Sequence, residues 1–190
     1  DDDGGVDRGA VYILFMNLDH TVKSYQKISD TEGGFGGLLN NDDRFGVDVA
    51  NIGDLDGDGI TDIAVGAFLD DDDYPSGGSN SNTGAVWILF LNSDGTVKSH
   101  KKISDTVPGF LGALEDGDLF GASVESLGDF DGDGLQDIAV GAILDDDGGT
   151  SGQSSEVGAV WILFLDSDGT VKSYQKISNT QGGFGPILDK

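Results

Sequence analysis

Gly84-Ala85-Val86-Trp87-Ile88-Leu89-Phe90-Leu91 runs into Asn92-Ser93-Asp94-Gly95 and then into Thr96-Val97-Lys98-Ser99-His100-Lys101-Lys102-Ile103. The first eight residues are small, β-branched, aromatic or aliphatic, which suits a short buried strand. Asp-Gly between two such runs marks a hairpin, because glycine accepts positive φ without steric cost. The lysines of the second run fit an edge strand, where charge guards unpaired backbone. Working outward, Gly158-Ala159-Val160-Trp161-Ile162-Leu163-Phe164-Leu165 repeats the apolar run verbatim. Gly9-Ala10-Val11-Tyr12-Ile13-Leu14-Phe15-Met16 is an earlier copy with two changes, and the steps between copies are 75 and 74 residues.

A second block keeps the same step. Gly53-Asp54-Leu55-Asp56-Gly57-Asp58-Gly59 returns as Gly128-Asp129-Phe130-Asp131-Gly132-Asp133-Gly134, and Phe45-Gly46 as Phe120-Gly121. Phe120–Leu127 and Ile138–Ala142 read as two further strands around the aspartate loop. The unit is therefore four strands without a helix, and the fold class expected is all-β. Tandem units of this kind predict four-stranded antiparallel blades of a β-propeller, about 2.5 repeats that stay incomplete or open on their own. The expected divisions are 1–44, the C-terminal hairpin pair of a first repeat; 45–119, a full repeat; and 120–190, a second full repeat. The chain opens on Asp1-Asp2-Asp3 and reads as a mature product or an excerpt of a longer protein.

Charge narrows the function. The chain carries 35 acidic against 10 basic residues, a net charge of −25. No basic face exists to neutralise phosphates, so nucleic acid is excluded as a partner, and an anionic membrane surface would repel the protein. No apolar run reaches the ~18 residues of a membrane helix, so no membrane insertion is expected. With 37% hydrophobic residues, ten Phe, four Tyr and two Trp, the chain is not a disordered acidic tail. The absence of cysteine removes disulfides and thiolate chemistry. A folded protein this acidic calls for cations.

The aspartate loops supply the place for them. Asp54, Asp56, Asp58 and Asp62 stand at loop positions 1, 3, 5 and 9, as do Asp129, Asp131, Asp133 and Asp137. Alternate spacing wraps the carboxylates around one centre, glycine at position 6 permits a sharp turn, and the backbone carbonyls of Ile60 and Leu135 stand at position 7. Hard oxygen ligands in a flexible loop suit Ca²⁺, and two Ca²⁺ sites are expected. Position 12 is Val65 or Val140 rather than glutamate, and a strand follows, so neither loop is an EF-hand; Asp62 and Asp137 are expected to close the cage. An ordinary solvated turn is the plainer alternative. Against it, four bare carboxylates about 5 Å apart repel by ~0.8 kcal/mol per pair even in water, a burden a plain turn does not need.

Phe-Gly, the aspartate loop and then Asp-Ile-Ala-Val-Gly-Ala together resemble the FG-GAP repeat of integrin α-subunit β-propellers and of bacterial surface proteins. The matching residues are Phe45-Gly46, Asp54 to Asp62 and Asp62 to Ala67, then Phe120-Gly121, Asp129 to Asp137 and Asp137 to Ala142. Phe68 and Ile143 stand where the family carries proline, and the segments 70–83 and 145–157 lengthen each unit. The resemblance implies an extracellular or cell-surface, calcium-stabilised module of bacterial type with an adhesive or structural role. Its partners would be neighbouring repeats, copies of itself, or a protein or glycan ligand.

Weaker candidates complete the reading. Asp70-Asp71-Asp72-Asp73, Asp145-Asp146-Asp147 and Asp1-Asp2-Asp3 are expected as solvated loops rather than secondary calcium sites. His20 sits in a turn that carries glycine in the other copies, and His100 replaces Tyr25 and Tyr174, so no repeated histidine-based catalytic site exists and no enzyme is expected. Trp87 and Trp161 read as packing residues rather than sugar platforms, and the tyrosines and lysines of the second strand as its solvent face. No Asn-x-Ser/Thr sequon occurs; 76–83 and 150–155 are serine- and threonine-bearing stretches suited at most to O-linked sugars. Two other functions fit the pattern: a self-assembling fibre, if an incomplete blade at each end is completed by strand addition between chains, and a non-catalytic propeller of a larger secreted enzyme or lectin.

Overall fold

The computed structural model describes residues 1–71, 82–146 and 157–184. Among them are ten strands and no helix: β1 (Val11–Met16), β2 (Val22–Ile28), β3 (Val49–Asn51), β4 (Ile63–Ala67), β5 (Ala85–Leu91), β6 (Val97–Ile103), β7 (Phe120–Gly128), β8 (Asp137–Ala142), β9 (Ala159–Leu165) and β10 (Val171–Ile177). They form three antiparallel sheets, β1-β2, β3-β4-β5-β6 and β7-β8-β9-β10. The protein is thus all-β, built from four-stranded sheets that do not close on themselves. Residues 76–81 and 150–155 of the O-glycan candidates, with Asp72, Asp73 and Asp147, lie outside the described residues, and Thr83 is buried.

The hairpin signal forms the predicted turn. In the middle sheet Gly95 sits at φ 81, and Asp94 Oδ1 accepts the Thr96 N–H at 3.0 Å and its hydroxyl at 2.6 Å. Asp19 with Thr21 and Asp168 with Thr170 repeat this clasp. In the first sheet His20 takes the glycine position at φ 67, a left-handed conformation that a side chain adopts at a cost.

Alternation along β5 decides how the sheets stack. Trp87, Leu89 and Leu91 join Val11, Ile28, Phe35, Leu39 and Phe45 in a core against the first sheet. Val86, Ile88 and Phe90 join Phe110, Phe120, Val124, Ile138 and Trp161 in a core against the third. Face-to-face stacking therefore buries the middle sheet on both sides. The seven residues of β9 are identical in sequence to those of β5, yet β5 is buried throughout while Val160 of β9 is exposed and Ile162 and Phe164 are half-buried.

Adjacent sheets also touch through backbone. Gly9 bridges Phe45 and Gly84 bridges Phe120, both in parallel. At Gly84 φ is 90, and a Cβ there would lie 2.0 Å from the Phe120 carbonyl oxygen, so only glycine allows this approach. Each Phe-Gly pair is thus the point where one sheet docks onto its predecessor.

Two expectations need correction. The fibre alternative takes an incomplete blade at each end; among the described residues β9–β10 bonds to β8 as β5–β6 bonds to β4, so the last sheet has four strands and the β1–β2 sheet is the short one. Nor are all the second-strand lysines a solvent face. Lys176 is buried and Lys102 half-buried, with the ammonium 2.7 Å from Asp145 and from Asp70 and stacked 5.1 and 5.0 Å over Trp161 and Trp87. The first aspartates of the second and third runs, Asp70 and Asp145, are accordingly buried rather than solvated, because an indole face and a lysine enclose them, whereas Asp1 is exposed.

Candidate metal centre

Each aspartate loop projects from one end of a sheet between its first two strands. In the middle sheet the neck is closed by the Ile52 N–H on the Asp62 carbonyl at 3.1 Å and the Asp62 N–H on the Gly53 carbonyl at 2.6 Å. Leu55 anchors the loop in the core against the third sheet. Its counterpart Phe130 has no such core to enter, stays exposed and stacks on Phe164 at 6.3 Å.

Inside the loops the carboxylates fold back on their own backbone. Asp54 accepts the Asp58 N–H at 2.9 Å and the Gly59 N–H at 2.8 Å; Asp129 accepts Gly132 at 2.7 Å and Gly134 at 3.0 Å. Asp58 accepts the Ile60 N–H at 2.8 Å, and Asp133 accepts that of Leu135 at 2.9 Å. These bonds curl the loop so that Asp54, Asp56 and Asp58 bring oxygens within 4.8 Å of one another, as do Asp129, Asp131 and Asp137.

Position 9 serves the scaffold as well. The buried Asp62 accepts the Leu55 N–H at 2.9 Å and, across the sheet, the Leu91 N–H at 3.0 Å. Burial raises its pKa. Asp137 accepts Phe130 at 2.9 Å and Leu165 at 3.2 Å, tying the second loop to β9. Asp62 and Asp133 stand outside the two tight groups. Ile60 and Leu135 are half-buried at the loop ends, against the edges of the two cores.

A lysine reaches each loop from the last strand of its sheet. Lys98 Nζ lies 2.6 Å from Asp56 and also bonds Asp58; Lys172 Nζ lies 2.8 Å from Asp131 and also bonds Asp133. The lysine hydrogen bond holds the Asp58 and Asp133 carboxyls below the usual carboxylate range, and the aspartates push both lysines up. One ammonium against four carboxylates still leaves each loop strongly negative.

The donors fit a hard divalent cation. All are oxygens, and oxygens sharing one Ca²⁺ at 2.3–2.6 Å lie no more than about 5 Å apart. The 4.8 Å grouping meets that condition in both loops.

The acidic stretches 40–43 and 115–118, which sequence reasoning ranks below the aspartate runs as metal sites, hold a second set whose burial the sequence does not show. Asp43 and Asp118 are buried beside Asp70 and Asp145, bonded to the Asn40 N–H at 2.7 Å and the Glu115 N–H at 2.9 Å. Burial, with the neighbouring carboxylate, pushes Asp43 up to about 8 and Asp118 up to about 6. The signal was available: Lys27, Lys102 and Lys176 hold one place in the three copies, and each pairs with the aspartate whose backbone carbonyl receives Gly9, Gly84 or Gly158. Trp87 and Trp161, at 3% and 2% exposure, are packing residues with no open face for a sugar. His100 lies half-buried between Phe35 and Trp87, where burial lowers its pKa.

Comparison with known proteins agrees with this geometry. Residues 120–163 match the model of the FG-GAP repeat. The chain is 41% identical over 99 residues to integrin alpha-5 of Xenopus laevis, covering 52% of this chain and 8% of that one. It is 30% identical over 138 residues to integrin alpha-2 of Mus musculus, covering 72% and 10%. To integrin alpha-4 of Xenopus laevis it is 36% identical over 104 residues, covering 54% and 9%. The chain thus spans a tenth or less of the length of these relatives. Loop, strand order and sequence converge: residues 120–163 carry the FG-GAP repeat, and the four-stranded sheets are blades of the integrin-α-like kind, here in an open array.

Proposed function

We propose that the chain is a calcium-stabilised repeat module of an extracellular or cell-surface protein, adhesive or structural in role and not an enzyme. The observation that carries this reading is the twice-built loop, which gathers three carboxylates within 4.8 Å between the first two strands of a sheet. In it Asp54, Asp56, Asp58, Asp62 and the Ile60 carbonyl hold one Ca²⁺, and Asp129, Asp131, Asp133, Asp137 and the Leu135 carbonyl hold the other. The ion supplies positive charge that lets the loop close against its own carboxylates. The backbone bonds of Asp62 and Asp137 pass that closure to β5 and β9. Three units, divided near residues 45 and 120, are each completed by docking on their neighbours, and these neighbours are the first partners; a protein or glycan ligand is the second.

The apolar run shared verbatim by β5 and β9 supports duplication within the array, which is proposed to be of the bacterial surface type. Isothermal titration of the metal-free protein with Ca²⁺ tests the reading. Two sites are expected, together with a rise in melting temperature that grows with free Ca²⁺. Asp54→Asn with Asp56→Asn should leave one site. Absence of both heat and thermal stabilisation would refute it.

A further inference from the structure

Lys98 stands on β6, 40 residues beyond Asp58, yet its ammonium bonds both Asp56 and Asp58. Lys172 on β10 does the same to Asp131 and Asp133. The equivalent lysine of the first sheet is Lys23 on β2. That sheet has no aspartate loop, and Lys23 is exposed. Wherever a loop is present, then, the ammonium goes to the carboxylates at positions 3 and 5.

Those carboxylates are also the ones that the calcium reading uses as ligands. The ammonium sits on Oδ2 of each of these carboxylates, and an ammonium and a divalent cation gathered on the same two side chains repel each other. We propose that Lys98 and Lys172 are built-in counter-ions that gate the loops: each offsets the bare carboxylates at positions 3 and 5, repels a divalent cation that enters, and so sets the affinity of its site. This inference rests on the calcium reading above.

The side chains suit the role. Both lysines are about one-third exposed, so water can receive the ammonium on release. Lysine is a point charge on a flexible stem, whereas arginine's planar fork would lock onto carboxylates. In the metal-free loop the lysine offsets part of the carboxylate repulsion. In the loaded loop it remains a like charge a few ångströms from the ion, which in water-like screening lowers affinity by about tenfold. The gate therefore raises the calcium level at which the loops fill.

The test is calcium titration and melting of the metal-free protein for four forms: wild type, Lys98→Gln with Lys172→Gln, Lys98→Arg with Lys172→Arg, and Lys23→Gln. The glutamine pair is expected to bind Ca²⁺ about tenfold more tightly at both sites and to melt at a lower temperature without metal. The arginine pair, which keeps the charge, should show no tightening, and Lys23→Gln should match wild type in both measurements. If wild type binds Ca²⁺ and the glutamine pair binds no more tightly, the gate is overturned and the calcium reading stands. If neither form binds, the calcium reading fails and the gate falls with it.

Discussion

Asp43 is a carboxyl held where water cannot reach it, with Asp70 beside it and Lys102 already paired to Asp70. Its pKa of about 8, and that of about 6 at Asp118, lie above the ~3.9 of an unfolded aspartate. A raised acid contributes its stability fully below about pH 4. That contribution is lost as the pH climbs through 6 for Asp118 and 8 for Asp43. The metal-free protein should therefore melt at falling temperatures as the pH rises from 4 to 8. Asp43→Asn, which keeps the bond from Asn40 and cannot ionise, should flatten the upper part of that slope; an unchanged slope in a series of melts would contradict the assignment. This carboxyl was not legible in the sequence, since Asp43 reads there as one acid of a polar stretch and only the neighbouring sheet buries it. The loop aspartates were legible because their alternate spacing is itself the geometry, although the lysines that reach them across the sheet were not.

At the scale of the strand, the same seven residues give two different elements. In β5 both faces meet a sheet, while in β9 one face meets solvent. The pattern of each strand, its hairpin and its lysine-lined edge could be read from the sequence. Burial could not, because it belongs to the neighbour rather than to the run. Ile88→Ala removes a fully buried side chain between two sheets and should cost about 2–5 kcal/mol in chemical denaturation. Ile162→Ala, the identical change in the identical run, should cost less than half as much because Ile162 is only half-buried. Equal costs would mean that the outer sheet is covered in solution.

For the whole molecule, the repeat step predicted the stacked blades, but not that the units would meet at a glycine. Gly84→Ala places a methyl 2.0 Å from the Phe120 carbonyl at a positive φ and should cost about 2 kcal/mol or more, separating the melting of the third sheet from the rest. Gly57→Ala, also at positive φ but with nothing within 4 Å, is the control that carries the backbone strain alone. The Gly9–Phe45 and Gly84–Phe120 bridges are built from the same residue types at the same separation. A gene that slipped by 75 codons during replication would therefore insert a unit whose upstream and downstream joints already fit, so the number of units in such an array can change while its local chemistry stays fixed.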